Sequence, residues 1–253
     1  MSLRIAFDLD GVFADMEGEL VRQAEILFGE PMTRRLQERA AEGGERATVP
    51  GPTADPDKAI DTTATGETAA ERDSEPPIVT LQMTPRQQRR LWRHVEAIEN
   101  FWETLTEIEP GVVARLAAIA TDRKWEVIFL TKRPEGAGAI AQVQTQRWLE
   151  AKGFALPSVY VVQGSRGRIA GALELDFVVD DRPENCLDIV VDSQARAVLV
   201  WREGEKQLPI AARRLGIGVV KSVDECLDIL AQIDATPAEK PRVVGRVMQL
   251  LGL

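Results

Sequence analysis

The stretch Leu3-Arg4-Ile5-Ala6-Phe7-Asp8-Leu9-Asp10-Gly11-Val12 decides the fold predicted for this chain. A short apolar run, typical of a buried strand, ends here in two aspartates that one residue separates and a glycine follows. Because side chains alternate along a strand, Asp8 and Asp10 point to the same side. Two close carboxylates at the end of a buried strand are costly unless a cation compensates them. The stretch therefore indicates a Mg²⁺ site with one carboxylate free to act as nucleophile or acid, although Asp-x-Asp also occurs in ordinary βα loops.

From Pro110 onward, the sequence alternates apolar strand-like runs with helical runs. Strands separated by helices form parallel βαβ units, which wind right-handed into a sheet covered on both faces. We therefore predict an α/β fold with a Rossmann-like, doubly wound parallel sheet that includes the N-terminal strand. The predicted strands are 3–8, 125–130, 158–162, 177–179, 197–201 and 217–220.

A long segment between the N-terminal strand and this regular region has a different character. From about 38 to 77 it holds no aromatic residue and almost no large aliphatic one. Such a composition buries too little apolar area to offset the entropy of ordering the chain, so it predicts a flexible stretch. A helix is then expected to begin at Thr84-Pro85 and to continue through Leu105.

Composition narrows the classes of function. The 253 residues include 40 acidic and 31 basic ones, for a formal net charge of −9, which argues against a nucleic-acid polymer as partner. No stretch is long and apolar enough to span a bilayer, so no membrane partner is expected. Cys186 and Cys226 are isolated and His94 is the single histidine, so a Cys/His zinc site is excluded. Two cysteines do not suggest a disulfide framework, so a reducing, cytoplasmic location is expected.

Three of the predicted strands end in polar side chains suited to phosphate chemistry. These are Asp8 with Asp10, Thr131 with Lys132 and Arg133, and Asp180 with Asp181. In an open parallel sheet, ligands bind at the carboxyl ends of the strands. One carboxylate can attack phosphorus, a second can protonate the leaving oxygen, and others can hold Mg²⁺, while a hydroxyl and a cation bind the phosphoryl oxygens. The three strand ends together predict a site for a small phosphorylated substrate.

The order of these motifs resembles the haloacid dehalogenase (HAD) superfamily of phosphohydrolases. Residues 8–15 match its first motif, Leu130-Thr131-Lys132-Arg133-Pro134 its second, and residues 178–185 its fourth. The extended forms Asp-Gly-Val-x-x-Asp, Thr-x-Arg-Pro and Asp-Asp-Arg-Pro-Glu-Asn look most like the 5′-nucleotidase (deoxyribonucleotidase) branch. The resemblance covers residues 1–30 and about 108–233.

This resemblance implies a role for each matched residue. Asp8 would be the nucleophile and Asp10 the general acid/base. Thr131 would donate a hydrogen bond to the phosphoryl group. Mg²⁺ would be held by Asp8, the backbone carbonyl of Asp10, and Asp180, with Asp181 reaching it through water or from a second layer. Since Asp10 is present, the chain looks like a phosphatase rather than a dehalogenase, which needs no such acid.

The third motif of the superfamily is a lysine, and this sequence departs from it. We expect that lysine about fourteen residues before Asp180, where the chain has Arg166, and no lysine occurs between Lys152 and Asp180. Arginine keeps the charge but presents a planar fork instead of a point donor. Arg166 is therefore the candidate phosphate-neutralising residue. Lys132 could supply the charge instead, and a solvated loop arginine is the other interpretation of Arg166.

The resemblance also suggests what the long segment between the first and second motifs is, because HAD proteins insert a cap domain over the active site between these motifs. Residues 28–107 would be a helical cap inserted after the first strand, and residues 1–27 with 108–236 would form the α/β core. Residues 237–253 predict an amphipathic tail helix that could pack on the body or join two copies as a homodimer.

We expect a Mg²⁺-dependent phosphohydrolase that cleaves a small phosphomonoester through an aspartyl-phosphate, with a nucleoside 5′-monophosphate as the leading substrate. One alternative is a catalytically weak HAD-like domain that serves as a binding or scaffold protein. Another keeps the chemistry and changes the substrate to a phosphosugar or a phosphoprotein.

Overall fold

The computed structural model describes residues 2–45, 80–203 and 207–235. Its strands are β1 (Arg4–Asp8), β2 (Glu126–Thr131), β3 (Ser158–Val161), β4 (Phe177–Asp180), β5 (Arg196–Val200) and β6 (Gly218–Val220). They pair in parallel as one sheet in the order β3-β2-β1-β4-β5-β6. Helices flank this sheet, which confirms the predicted α/β class with a Rossmann-like parallel core.

The helices of the described residues alternate with these strands after β1. They are α1 (Met16–Phe28), α2 (Glu30–Glu45), α3 (Pro85–Glu96), α4 (Val112–Arg123), α5 (Ala141–Ala151), α6 (Arg166–Ala172), α7 (Pro183–Asp192), α8 (Ile210–Arg214) and α9 (Val223–Ala235), with a short 3-10 helix at Phe101–Glu103. In the described ranges, none of these helices has the length and apolar character needed to cross a membrane.

The central strands form because their sequences are apolar on both faces. β1 is buried from Ile5 onward and β4 is buried throughout. Such continuous apolar runs are typical of parallel strands that helices cover on both sides. The six predicted strands are confirmed to within one residue at each end.

The helix predicted to continue from Thr84 through Leu105 is wrong in its second half. α3 ends at Glu96, and Asn100 then adopts a left-handed conformation with φ 53°. The backbone oxygen of Glu96 accepts a hydrogen bond from Ala137 N (2.7 Å), and Asn100 N donates to the backbone oxygen of Ala137 (2.9 Å). These contacts with a loop distant in sequence replace the hydrogen bonds that would continue the helix.

The chain divides into two compact units, one built from residues up to Glu19 and from Glu96 onward, the other from Leu20–Val95. Within the second unit, α3 begins at Pro85 with Thr84 before it, as predicted. The structure adds a capping box, in which Thr84 Oγ1 accepts a hydrogen bond from Gln87 N (3.3 Å) and Thr84 N donates one to Gln87 Oε1 (2.9 Å). His94 is half-buried there, and its Nε2 lies 3.1 Å from Gln23 Oε1.

Parts of the predicted insertion and tail fall outside the described residues. α2 continues to Glu45, so the low-complexity composition that starts near residue 38 does not end the helix there. Residues 46–79 and 236–253 are outside the described ranges, and with them most of the predicted flexible stretch and the whole tail. The cap boundaries 28–107 and the tail-mediated homodimer stay predictions.

Candidate active site

The carboxyl ends of β1, β2 and β4 meet at the centre of the sheet. Asp8 pairs with Leu130 in β2, and its neighbour Phe7 pairs with Val179 in β4. The strand order reverses between β1 and β4, so this edge is the topological switch point at which open α/β sheets bind ligands. The sheet thus brings Asp8, Asp180 and the residues that follow them to one place.

A tight turn follows β1 and depends on Gly11. Its φ is +85°, and its N–H donates to the backbone oxygen of Ala14 (3.0 Å). A Cβ at this position would lie 1.9 Å from Oδ2 of Asp181, so only glycine lets the turn approach that carboxylate. Asp15, which follows the turn, caps α1 by accepting a hydrogen bond from Gly18 N (2.9 Å).

Arg166 lies between two of the predicted site carboxylates. One of its terminal nitrogens donates to Asp8, and its Nε lies 3.8 Å from Oδ2 of Asp180. All three side chains are buried. The interpretation of Arg166 as a solvated loop arginine is therefore wrong, since it supplies the cation between the first and fourth motifs.

Local structure places Arg166 at the first position of α6. Ser165 caps this helix by accepting a hydrogen bond from Arg168 N (3.1 Å), and its hydroxyl donates to Asp188 (2.9 Å). Gly167 allows α6 to approach α7, because a Cβ there would lie 2.2 Å from the backbone oxygen of Asp188. From this first position of α6, the Arg166 side chain reaches Asp8 at the end of β1.

The electrostatics of this cluster reflect burial and repulsion. Burial raises the pKa of Asp8 well above its usual range; Arg166 opposes this rise, and the nearby aspartates add to it. Burial likewise raises the pKa of Asp180, against the charge of Arg166. Burial and the charge of Asp180 raise the pKa of Asp181 to about 7. The site therefore holds more negative charge than Arg166 alone compensates.

Asp180 is fixed by groups from the turn that follows β4 and from the start of α7. Its side chain is fully buried, and Asn185 Nδ2 donates to both of its carboxylate oxygens (3.0 Å each). Arg182 N donates to Oδ1 at 2.9 Å. These bonds hold the carboxylate in one orientation beside Arg166.

Asp10 is held by two residues of the second motif. Arg133 donates to it through Nη2 (2.7 Å to Oδ1) and Nε (3.0 Å to Oδ2), and Thr131 Oγ1 donates to Oδ2 at 3.0 Å. Thr131 is fully buried, and its predicted contact with a phosphoryl group stays a prediction. Sequence reasoning placed Arg133 at this strand end but assigned it no individual role. It chose Lys132 instead, which is exposed.

Mg²⁺ is the cofactor that the resemblance implies, and it takes oxygen ligands. The side chains of Asp8, Asp180 and Asp181 present carboxylate oxygens, which are ligands of the kind that Mg²⁺ binds. Oδ1 of Asp181 is buried without a hydrogen-bond partner in the described part of the chain. Across 2–45, 80–203 and 207–235, no three acidic, histidine or cysteine side chains converge into a ready metal-binding group. The donor chemistry and the excess negative charge fit Mg²⁺, provided that backbone oxygens or water complete its ligands.

The turn after β1 is also bound by Arg202, which follows β5 and forms an ion pair with Glu109. Arg202 donates to the backbone oxygens of Gly11 (2.5 Å) and Val12 (3.1 Å) and to Oε1 of Glu109 (2.7 Å). Glu109 also accepts from the backbone N–H groups of Val223 and Asp224 at the start of α9. Although burial acts to raise it, these hydrogen bonds and the Arg202 charge lower the pKa of Glu109.

Replacing Glu109 by glutamine is expected to lower the free energy of unfolding by about 1–2 kcal/mol at neutral pH, because charge-assisted hydrogen bonds are lost. Since the folded-state pKa of Glu109 lies below the unfolded value of 4.5, its contribution is present above that value and is lost as the pH falls through the lowered folded pKa. Urea denaturation at neutral pH and at about pH 3 measures this difference. Glu126→Gln, which breaks the exposed pair with Arg4, is the control. An equal deficit of Glu109→Gln at both pH values would contradict the assignment.

Comparison with known proteins identifies the fold. No family model matches the sequence, and no curated protein matches it. Among solved structures, a HAD family hydrolase from Deinococcus radiodurans R1 with bound phosphate and sodium matches over 94% of this chain and 99% of its own chain. The TM-score is 0.50 and the sequence identity 18%, a likeness that establishes the fold alone. The chain therefore has the α/β fold of a HAD hydrolase, and its chemistry must be argued from its own side chains.

Proposed function

We propose that this protein is a Mg²⁺-dependent phosphohydrolase that cleaves a small phosphomonoester through an aspartyl-phosphate intermediate. One observation carries the proposal: a buried carboxylate, Asp8, lies against a buried guanidinium, Arg166, at the switch point of the sheet. A second carboxylate, Asp10, is oriented nearby by Arg133 and Thr131. A nucleophile, a cation and a candidate acid are the groups that phosphoryl transfer through a carboxylate requires.

In the first step, a carboxylate oxygen of Asp8 attacks phosphorus and the bond to the ester oxygen breaks. Asp10, which carries a proton at that moment, gives it to the departing alkoxide. Arg166 stabilises the negative charge on the phosphoryl oxygens. In the second step, the Asp10 carboxylate takes a proton from water, whose oxygen attacks phosphorus and releases phosphate from Asp8. One ester and one water thus yield one alcohol and one phosphate.

Asp8, the backbone carbonyl of Asp10, and Asp180 would hold Mg²⁺, with Asp181 as a further oxygen donor. When bound, the ion supplies positive charge that the four carboxylates of the cluster need and that phosphoryl oxygens bind. Arg166 and Asn185 orient two of these carboxylates, Asp8 and Asp180, by hydrogen bonds.

A nucleoside 5′-monophosphate is the leading substrate of this proposal. The support is the likeness of the extended motifs, Asp-Gly-Val-x-x-Asp, Thr-x-Arg-Pro and Asp-Asp-Arg-Pro-Glu-Asn, to the 5′-nucleotidase branch. The same first-step chemistry serves any phosphomonoester, so phosphosugars and phosphoproteins belong in the same assay.

The proposal is tested by phosphate release from nucleoside 5′-monophosphates, sugar phosphates, a phosphopeptide and 4-nitrophenyl phosphate, each with Mg²⁺ and with EDTA. We expect turnover with Mg²⁺, its loss in EDTA, and its return when Mg²⁺ is added in excess. The preferred ester identifies the substrate class. Silence of the folded protein on every ester with Mg²⁺ would overturn the phosphohydrolase and favour the binding or scaffold alternative.

A further inference from the structure

Arg133 is a buried cation that the predicted mechanism does not use. Its side chain is fully buried, and its guanidinium forms a two-pronged contact with Asp10 through Nη2 and Nε. A buried charge is costly unless it is paired and hydrogen-bonded, so its position requires an explanation. A planar fork against a carboxylate fixes both the position and the plane of that carboxylate.

Two neighbours besides Asp10 hold the Arg133 guanidinium in place, Thr145 and Trp102. Its Nη1 donates to Thr145 Oγ1 on α5 (2.8 Å). Its guanidinium carbon lies 5.0 Å from the ring centroid of Trp102, in a cation–π contact. Trp102 is fixed in turn, because its backbone N–H donates to Gln144 Oε1 (3.0 Å) and its Nε1 donates to the backbone oxygen of Pro134 (3.3 Å). The fork therefore projects from a preorganised support toward Asp10.

Asp10 needs this support because β1 ends at Asp8, so Asp10 belongs to the turn that follows the strand. Its carboxylate has about four lone-pair sites. Nη2 and Nε of Arg133 and Oγ1 of Thr131 occupy three of them. About one site is left for the proton that passes to the leaving oxygen or comes from water. The arrangement selects the direction in which Asp10 exchanges a proton.

We propose that Arg133 is a positioning residue: its guanidinium fork orients Asp10 so that the one remaining lone-pair site delivers a proton to the leaving group. This inference rests on the proposed function. Arg133 thus joins the nucleophile Asp8 and the phosphate-neutralising Arg166 as a third functional residue. The arginine of the Thr-x-Arg-Pro motif would have the specific role of orienting Asp10. A merely structural arginine would stabilise the same segments without affecting proton transfer.

The test compares leaving groups in the first turnover. An alkoxide leaves poorly and needs a proton, whereas 4-nitrophenolate leaves without one, so only the alkyl ester depends on the orientation of Asp10. In Arg133→Lys, which keeps the charge and loses the fork, we expect first-turnover alcohol release from a nucleoside 5′-monophosphate to slow on the order of 100-fold. Release of 4-nitrophenolate should remain within about threefold of wild type, and Asp10→Asn should show the same split.

Rapid-quench measurement of the leaving group isolates the first step, because Asp10 also assists the second step for every ester. The control is Arg147→Lys, an exposed arginine on the same helix as Thr145. Thr145→Val is a milder variant that keeps Arg133 and removes only its support, and it covers the case in which Arg133→Lys does not fold. It should slow alcohol release several-fold and leave nitrophenolate release unchanged.

Equal slowing of both leaving groups in the folded variants, or no slowing of either, would overturn the positioning role. If wild type releases neither leaving group in Mg²⁺, the proposed function has failed and the role of Arg133 in it fails too. The wild-type protein distinguishes the two failures: if it releases a leaving group, only the positioning role of Arg133 can have failed.

Discussion

Replacing Asp8 by asparagine is expected to abolish phosphate release, with kcat lower on the order of 10⁴-fold or more. The amide has the shape of the carboxylate but cannot form a phosphoenzyme. The variant should fold at least as stably as wild type at neutral pH. Burial and neighbouring carboxylates raise the folded-state pKa of Asp8 despite the opposing charge of Arg166, so the ionised form of Asp8 destabilises the protein as the pH rises, and the neutral amide removes that cost. Arg166 keeps Asp180 as a buried partner in this variant, whereas Arg166→Ala would leave both carboxylates without their cation.

Steady-state phosphate release and urea denaturation together check this result. Asp122→Asn is the matched control, since Asp122 is an exposed aspartate on α4 and should leave both quantities unchanged. Asp8→Asn that retained wild-type turnover would remove Asp8 as the nucleophile. A variant that lost both activity and stability would contradict the electrostatic account of the cluster.

Replacing Arg166 by alanine is expected to lower kcat by on the order of 100- to 1,000-fold, because no other buried cation lies against Asp8 in the described ranges. It also leaves two buried carboxylates, Asp8 and Asp180, without their shared partner. The loss of one member of a buried pair costs about 3 kcal/mol of unfolding free energy. Mg²⁺ should recover part of this loss, since a divalent cation can compensate the same carboxylates.

Two further variants make the result specific. Arg168→Ala removes an arginine two positions along α6 whose side chain is 84% exposed, and it should change neither kcat nor stability. Arg166→Lys keeps the positive charge and replaces the planar fork by a point donor, so it should fold with a smaller loss of kcat than Arg166→Ala. An Arg166→Ala protein with wild-type turnover would contradict the assignment of Arg166 as the phosphate-neutralising cation.

The sheet could be predicted from the sequence because each strand is marked by a run of neighbouring apolar residues. Continuous apolar runs such as residues 127–130 have few alternatives to a buried strand once helices separate them. The break at Asn100 could not be predicted in this way. It depends on hydrogen bonds with Ala137, which is distant in sequence, whereas the apolar spacing of Phe101, Trp102 and Leu105 continues the helical pattern.

The carboxylates of the site were predictable for a similar reason, since each follows directly from a strand end. The contact of Arg133 with Asp10 was missed, although the sequence held a signal for it. Side chains alternate along an extended segment, so Thr131 and Arg133 share a side and Lys132 points the other way. Sequence reasoning favoured Lys132, which directly follows Thr131, whereas in the structure it is Arg133 that reaches Asp10.

The central place of β1 has a consequence for how the protein is made. β1 is synthesised before both of its neighbours, and its pairing partners β2 and β4 emerge from the ribosome only after the more than 100 residues that separate β1 from β2 have been translated. Until then a strongly apolar segment has no sheet to join, and closing such long loops is slow. The nascent chain therefore carries this segment unpaired until β2 and β4 have been synthesised, and we expect chaperones that bind short apolar segments to engage it at residues 3–9.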